Sequence, residues 1–260
     1  MQPLKALGQN FLTDNSIAAN IAALGNLQQG DRVWEIGPGK GILTDAILSY
    51  DVQLRAFELD RRLPEYLAER YENRVNFTFG DVLQSDWQAL IEQDKAPLKL
   101  IANIPYQITS PLLYMLERHQ ASFSIIVLML QKEVAERLSA KPGTKSYAPL
   151  TIRLRLFFEI VTAMQVGREN FDPSPNVDSA VIVLKPRQNP PILKYPKAFH
   201  QILIAAFAHR RKTLGNNLQV LMGKDKAKSL EKLSGIDFKR RGETLEEADY
   251  ILLSELMAAL

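Results

Sequence analysis

The chain has 260 residues, which is enough for one large domain or for a main domain with a smaller second one. Its residues are 46% hydrophobic and 23% charged, a balance typical of folded globular proteins that excludes disordered and collagen-like chains. The absence of cysteine excludes disulfides, thiolate catalysis and cysteine-ligated zinc or iron–sulfur centres. The longest apolar run, 123–130, is too short to span a membrane, and no apolar segment precedes Asn10, so we expect no secretory signal, no membrane association and a cytoplasmic location.

Positive charge is concentrated in the last quarter of the chain. Residues 186–260 contain 13 Lys and Arg against 8 Asp and Glu, whereas residues 1–185 contain 19 against 21. Such an asymmetry is compatible with a polyanionic partner, and equally with lysine-rich helices that are simply solvated.

Strand and helix patterns alternate through the first half of the chain. A helix capped by Thr13 or Asp14 comes first and ends at Leu24. The predicted strands are then 32–36, 53–59, 75–79, 98–103 and 123–130, and the predicted helices that follow them are 42–48, 61–72, 84–91, 111–119 and 132–138. This alternation favours a parallel sheet with helices on both faces.

Three further β-rich runs, 151–158, 160–166 and 179–184, have no helices between them and predict an antiparallel edge of the sheet. The segment 185–191 has the composition of a linker. Beyond it, helical patterns at 198–209, 214–221, 226–233 and 245–256 predict a small all-helical domain. We therefore expect an α/β catalytic domain over residues 1–185 and a helical domain over residues 186–260.

A glycine-rich turn, Gly37-Pro38-Gly39-Lys40-Gly41, follows the first strand of the sheet. Such a turn presents backbone N–H groups to phosphate or carboxylate oxygens, and Gly37 and Gly39 permit a close approach of the ligand. Glu58, at the end of the next strand, can accept hydrogen bonds from ribose hydroxyls, and Asp81, after the third strand, can accept one from an adenine amine. The Gly-x-Gly-x-Gly spacing differs from that of dinucleotide binders, so these features together predict S-adenosylmethionine as the cofactor.

The tetrapeptide Asn103-Ile104-Pro105-Tyr106 directly follows the fourth strand and should line the same cleft. The Asn103 amide oxygen and the Ile104 carbonyl can each accept one N–H of an exocyclic amine, which aims the nitrogen lone pair at a methyl group. Pro105 stiffens the backbone, and Tyr106 offers a face for purine stacking, worth about 1–3 kcal/mol per base. The tetrapeptide therefore predicts methylation of an amine without a strong general base.

Six segments resemble the rRNA adenine dimethyltransferase family, namely residues 8–12, 35–41, 103–106, 130–134, 171–181 and 207–214. The resemblance extends from about Lys5 over nearly the whole chain. It is strongest to the bacterial members that dimethylate two adjacent adenosines in the loop of the 3′-terminal hairpin of 16S rRNA, late in small-subunit biogenesis. It implies a Rossmann-like S-adenosylmethionine-dependent methyltransferase fold for the first domain and RNA binding for the second.

The resemblance also implies roles for individual residues. Asn10 and Leu12 would close over the cofactor from the N-terminal segment. The full set expected to bind S-adenosylmethionine is Asn10, Leu12, Gly37, Gly39, Glu58, Asp81 and Asn103. Phe171 would hold the target adenine against Tyr106, with the base flipped out of its stack.

The densest cationic runs are Arg210-Arg211-Lys212 and Lys239-Arg240-Arg241. We predict that they bind RNA phosphates, although positive charge at the end of a helix is also favourable by itself. The expected partner is 16S rRNA in an immature small ribosomal subunit, and we expect a monomer without a metal ion.

Three other functions remain open from the sequence. One is the related methylation of a large-subunit rRNA adenosine, as in macrolide resistance. Another is a ribosome-assembly factor without catalytic activity, which the intact tetrapeptide disfavours. The last is a DNA adenine methyltransferase, which should carry a target-recognition domain that this chain is too short to include.

Overall fold

A computed structural model describes Leu4 and residues 8–260, and the chain divides into two compact units. The first unit ends at Ala135 and resumes over Phe158–Pro186, whereas the second comprises Glu136–Phe157 and Arg187–Leu260. This division differs from the predicted one, because the segment Glu136–Phe157 belongs to the second unit and not to the first.

The first unit contains a seven-stranded sheet. The strands of the unit are β1 (Phe11–Leu12), β2 (Arg32–Ile36), β3 (Gln53–Glu58), β4 (Val75–Phe79), β5 (Leu98–Asn103), β6 (Phe123–Gln131), β7 (Phe158–Val166), β8 (Phe171–Asp172) and β9 (Ser179–Pro186). The order across the sheet is β4-β3-β2-β5-β6-β9-β7, while β1 and β8 form a separate two-stranded sheet. The neighbouring strands β4, β3, β2, β5 and β6 pair in parallel, and β9 is antiparallel to both β6 and β7. The predicted parallel sheet with an antiparallel edge is confirmed.

One helix precedes the parallel strands and others alternate with them, as the pattern predicts. They are α1 (Asn15–Leu24), α2 (Ile42–Leu48), α3 (Pro64–Tyr71), α4 (Trp87–Asp94), α5 (Thr109–Arg118) and α6 (Lys132–Leu138). Asp14 is the residue that caps α1, because its carboxylate accepts hydrogen bonds from the backbone N–H groups of Ser16 and Ile17 at 2.7 and 3.3 Å.

An ion pair between the buried Arg55 and the half-buried Asp94 joins β3 to the end of α4. The Arg55 guanidinium donates two hydrogen bonds to the Asp94 carboxylate, at 2.5 and 2.7 Å, and the fully buried Trp34 indole donates a third at 2.7 Å. Burial alone would raise the pKa of Asp94, but the hydrogen bonds from Arg55 and Trp34 outweigh it and lower that pKa. The ring of Trp34 packs edge-on against Phe57 and Trp87, so this polar contact lies within an aromatic part of the core.

The second unit is helical. Its helices are α7 (Pro149–Phe157), α8 (Pro196–Ala208), α9 (Leu214–Met222), α10 (Lys224–Ser234) and α11 (Glu247–Ala259). They enclose a core of their own that includes Tyr147, Leu203, Leu218, Leu230 and Tyr250. Among the helices of the described residues, none is long and apolar enough to cross a membrane.

The predicted strand 151–158 is wrong, because the structure shows the helix α7 there, and a β-strand begins only at Phe158. Ile152, Leu154 and Leu156 alternate with arginines, and this period of two suggested a strand. All three are buried, and Thr151 is buried beside them, so α7 is covered on more than one face. Pro149 at its first position has the fixed backbone angle that suits a helix start.

Candidate functional site

One cleft opens at the carboxyl ends of β2, β3, β4 and β5, and the structure brings all the residues predicted for catalysis and cofactor binding to its lining. These are Asn10, Leu12, Gly37, Gly39, Glu58, Asp81, Asn103, Ile104, Pro105, Tyr106 and Phe171. Parallel strands end at the same edge of a sheet, which is why residues so distant in sequence meet here. The contact that each would make with a ligand stays a prediction.

The glycine-rich turn adopts a backbone that other residues cannot follow. Gly39 and Gly41 have φ angles of +55° and +91°. A Cβ at Gly39 would lie 2.9 Å from the Phe11 ring, and one at Gly41 would lie 2.0 Å from the Tyr71 hydroxyl. The turn is therefore both left-handed and closely packed, and this backbone requires glycine. The N–H groups of its three glycines are already bonded within the protein, to the Phe57 carbonyl, the Glu58 carboxylate and the Pro38 carbonyl, so they are not the free donors that the sequence suggests.

Glu58 lies directly beneath this turn. One of its carboxylate oxygens accepts a hydrogen bond from the Gly39 N–H at 3.1 Å, and the other accepts one from the Asp60 N–H at 2.8 Å. Burial raises the pKa of Glu58 more than these backbone hydrogen bonds lower it. Each oxygen keeps a second lone pair, so the carboxylate is held in place and can still accept hydrogen bonds from ribose hydroxyls.

Glu35 is a second buried acid near the turn, and sequence reasoning assigned it no role. It is fully buried on β2, and one of its oxygens accepts a hydrogen bond from the Thr44 hydroxyl at 2.8 Å. Its other oxygen has no partner among the described residues. Burial raises the pKa of Glu35 to about 8, against the effect of the Thr44 hydrogen bond, so this side chain is mostly uncharged at neutral pH.

Asp81 and Asn103 present polar side chains to the cleft in different ways. The Asp81 carboxylate accepts hydrogen bonds from the Leu83 N–H and the Gln84 amide, at 2.9 and 3.1 Å, and so caps a short helical turn. The Asn103 amide makes no hydrogen bond to any other residue that the structure describes, and it is half-buried. Its oxygen is consequently available to a ligand in the cleft.

The turn after Asn103 is anchored to neighbouring strands. The Ile104 N–H donates to the Met129 carbonyl of β6 at 3.1 Å. The Tyr106 hydroxyl lies 2.8 Å from the hydroxyl of Ser179 on β9. Burial raises the pKa of the Tyr106 phenol, while its hydrogen bond with Ser179 acts in the opposite direction. The aromatic ring is thus held from the sheet side and lines the cleft.

The N-terminal segment reaches the cleft through the pairing of β1 with β8. In this antiparallel pair Leu12 lies opposite Phe171, and Phe11 lies opposite Asp172. The Lys40 ammonium group lies 4.8 Å from the centre of the Phe11 ring. The segment predicted to close over the cofactor is therefore joined directly to the segment that carries Phe171.

A glycine-rich turn, an acid at the end of the next strand and a polar turn after β5 suit an adenosine cofactor and an amine substrate at one sheet edge. The family model described as "Ribosomal RNA adenine dimethylase" matches residues 3–259. The chain belongs to this family.

Similar proteins agree with the assignment. "Ribosomal RNA small subunit methyltransferase A" of Ligilactobacillus salivarius is 44% identical over 98% of this chain and 90% of its own length, and that of Geobacillus kaustophilus is 42% identical over 98% and 91%. A dimethyladenosine transferase from Plasmodium falciparum superimposes with a TM-score of 0.76 at 26% identity, over 94% of this chain and 95% of that one. The 23S rRNA methyltransferase ErmE superimposes with a TM-score of 0.72 at 23% identity, over 96% and 100%, and shares the fold.

Membership in the family confirms the predicted enzyme class and its cofactor, S-adenosylmethionine. The cleft fits this cofactor on its own chemistry. The glycine-rich turn lines the cleft without a Cβ in the way, and Glu58 offers a fixed acceptor beneath it. Asn103 supplies an acceptor with no competing partner among the described residues.

A hydrogen bond holds the N-terminal segment of this dimethylase beside the cleft, and no sequence pattern indicated it. The Gln9 amide donates to the Asp60 carboxylate at 2.7 Å and accepts from the Leu4 N–H at 2.8 Å. Asp60 is buried and paired with Arg62 at 2.6 Å, and this guanidinium holds the pKa of Asp60 well below its usual range. A charged, fixed acceptor thus anchors the residue that immediately precedes Asn10.

Gln9→Ala is expected to weaken the binding of S-adenosylmethionine about 3- to 10-fold, because it removes the hydrogen bonds that hold Asn10 and Leu12 beside the cleft. Calorimetric titration with the cofactor measures the effect. Gln88→Ala, which removes an exposed glutamine hydrogen-bonded to Glu92 on α4, is the control and should leave the affinity unchanged. Equal affinities for all three proteins would show that Gln9 does not secure the segment.

The six cationic residues predicted to bind RNA all lie in the second unit and are exposed. Two of them are engaged locally: Arg210 donates to the Lys145 carbonyl at 2.7 Å, and Arg240 donates to the Thr244 carbonyl at 2.5 Å. The others are Arg211, Lys212, Lys239 and Arg241, whose side chains make no hydrogen bond or ion pair among the described residues. We call these four the basic surface.

The two cationic runs lie next to each other in the structure. The Leu214 N–H donates to the Arg240 carbonyl at 2.7 Å, and the Gly215 N–H donates to the Phe238 carbonyl at 3.0 Å. A Cβ at Gly215 would lie 3.2 Å from that of Phe238, so the close approach depends on this glycine. Runs that the sequence shows separately are therefore parts of a single cationic region.

Proposed function

We propose that this protein dimethylates the N6 amines of two adjacent adenosines in the loop of the 3′-terminal hairpin of 16S rRNA, late in small-subunit biogenesis. The observation that carries the proposal is the Asn103 amide, which has no hydrogen-bond partner among the described residues and lies in a cleft shared with Glu58 and the glycine-rich turn. The small-subunit methyltransferases at 42% and 44% identity support the choice of rRNA. We place its action in the cytoplasm, as a monomer, on an immature small subunit.

The residues of the cleft account for the chemistry. S-adenosylmethionine supplies a methyl group bonded to positively charged sulfur. The Asn103 amide oxygen and the Ile104 carbonyl accept hydrogen bonds from the two N–H groups of the adenine amine. The lone pair of the amine nitrogen then points at the methyl carbon. When bound, the cofactor would give up the methyl group as the N–C bond forms and the C–S bond breaks, and would leave as a neutral thioether. The methylated nitrogen would then release a proton to water. No base has to remove a proton before transfer, since the amine attacks as a neutral group.

Tyr106 and Phe171 would hold the adenine between their rings. Both line the cleft, and Phe171 is fixed opposite Leu12 by the β1–β8 pair. Flipping a base out of a stack costs a few kcal/mol, and the cost is least for bases that are already unpaired. A hairpin loop is therefore a suitable target, because its bases are presented singly.

We assign cofactor binding to Asn10, Leu12, Gly37, Gly39, Glu58, Asp81 and Asn103. In this assignment Glu58 accepts from the ribose hydroxyls, and Asp81 accepts from the adenine amine of the cofactor. Both carboxylates are already oriented by backbone hydrogen bonds, so little side-chain freedom is lost on binding.

The basic surface is the proposed RNA-binding region of the second unit. Replacing Arg211 and Lys212 by alanine is expected to weaken RNA binding and to reduce the slope of log K against log salt by about 1 for each phosphate that is no longer neutralised. Titration of a fluorescent hairpin RNA at several salt concentrations measures the slope. A Lys224→Ala, Lys228→Ala double variant removes two exposed lysines of α10 as the control. An equal reduction of the slope in the control would mean that general charge, and not the basic surface, determines binding.

Mapping methyl groups by mass spectrometry tests the proposed function. The protein is incubated with S-adenosylmethionine and with unmethylated small or large subunits in separate reactions. We expect dimethyladenosine at two adjacent positions of 16S rRNA and no product on the large subunit. Product on the large subunit alone, or none on either, would overturn the proposal in favour of a large-subunit enzyme or a binding factor.

A further inference from the structure

Ser179 contacts the proposed adenine site from behind. It is fully buried at the first position of β9, and its hydroxyl lies 2.8 Å from that of Tyr106, a residue 73 positions earlier. The Tyr106 side chain makes no other hydrogen bond among the described residues. The orientation of the phenol is therefore set by one hydroxyl of the sheet.

The backbone of Ser179 is held on both sides. It pairs with Gln131 of β6 and with Val166 of β7, so its position is fixed by two neighbouring strands. The preceding residue, Asp178, accepts hydrogen bonds from the Lys132 N–H and the Arg168 N–H, at 3.0 and 3.2 Å. Little room for movement is left at this strand end.

The same position is also the base of the loop that carries Phe171. The pair Val166 and Ser179 closes the segment 167–178, and Phe171 lies within it. One residue thus connects the two aromatic segments: its backbone closes the Phe171 loop, and its hydroxyl holds the Tyr106 ring.

We propose that Ser179 is a positioning residue for methyl transfer, which fixes the Tyr106 ring relative to Phe171 through the hydroxyl–hydroxyl contact. This inference rests on the proposed function, in which both rings hold the target adenine. Stacking needs only the aromatic face, so the phenol oxygen has no part in it. The phenol oxygen instead keeps the Tyr106 ring from turning. A small misplacement of the base lowers the rate of methyl transfer steeply, because attack by the amine requires close alignment with the methyl group.

The test compares three variants, Ser179→Ala, Tyr106→Phe and the double variant, on unmethylated small subunits. Each single variant removes the hydroxyl–hydroxyl contact and keeps the stacking face. We expect kcat to fall about 3- to 10-fold in each, as for the removal of one hydrogen bond, with KM for the RNA substrate nearly unchanged. The double variant should be no slower than either single one, because the two side chains act through one contact.

Ser254→Ala serves as the matched control, since it removes a buried serine hydroxyl that bonds to the Ile251 carbonyl within α11. Its kcat should equal that of the wild type. A Ser179→Ala enzyme with wild-type kcat, or a double variant whose effects multiply, would overturn the inference. So would a large fall in the melting temperature of Ser179→Ala together with weaker cofactor binding, which indicates a purely structural role. Failure of the proposed function looks different, because the wild type itself would then not methylate the small subunit.

Discussion

Asn103→Ala is expected to lower kcat for methyl transfer about 10²- to 10³-fold, the usual cost of removing a polar group that stabilises charge developing in the transition state. The amine nitrogen becomes positive as the N–C bond forms, and the Asn103 oxygen lies in the cleft without a competing partner among the described residues. Single-turnover assays on unmethylated small subunits measure the step directly.

The control for Asn103 is Asn76→Ala, which removes an exposed asparagine of β4 in the same sheet and should leave kcat unchanged. Cofactor binding to Asn103→Ala is measured in parallel, because the residue is also assigned to S-adenosylmethionine. Full activity in both Asn103→Ala and Tyr106→Ala would show that the turn after β5 is not where the amine reacts.

Asp94→Ala is expected to lower the free energy of unfolding by about 3–5 kcal/mol, because it leaves the buried Arg55 guanidinium without its charged partner. The Trp34 indole loses its acceptor in the same change. Urea denaturation measures the difference. Asp86→Ala, at the other end of the same helix, removes an exposed cap whose carboxylate accepts from the Ala89 N–H, and should cost only about 1 kcal/mol.

The pH dependence of this effect follows from the lowered pKa of Asp94. A carboxylate with a lower pKa in the folded state contributes its full stabilisation above its unfolded value of about 4 and loses it as the pH falls through the folded value. The difference in the free energy of unfolding between wild type and Asp94→Ala should therefore be constant near neutral pH and become smaller at acidic pH. Equal destabilisation by Asp86→Ala and Asp94→Ala would contradict a special role for the Arg55–Asp94 pair.

The sheet and the position of the cleft were predictable, for a physical reason. Gly37, Glu58 and Asn103 each lie at or just after the end of a predicted strand, and the carboxyl ends of parallel strands meet at one edge. The helix α7 was not predictable from its pattern. Ile152, Leu154 and Leu156 have the spacing of a strand, yet all three are buried on a helix, and Ile152 and Leu156 belong to the core of the second unit.

Contacts between single residues that are distant in sequence were also not predictable, because no sequence pattern indicates them. The strands β1 and β8 have two residues each, too few to show a period, although Thr13 and Asn170 beside them are joined across 157 residues. The contact of Ser179 with Tyr106 and that of Gln9 with Asp60 join polar side chains of ordinary types. Each depends on the folded arrangement of the chain and not on local sequence.

The pairing of Leu12 with Phe171 has a thermodynamic consequence. One of these residues is assigned to the cofactor and the other to the target base, and adjacent paired strands cannot shift independently. We therefore expect the binding equilibria of S-adenosylmethionine and RNA to be linked. Linkage is reciprocal: the factor by which S-adenosylmethionine raises the affinity for RNA equals the factor by which RNA raises the affinity for S-adenosylmethionine.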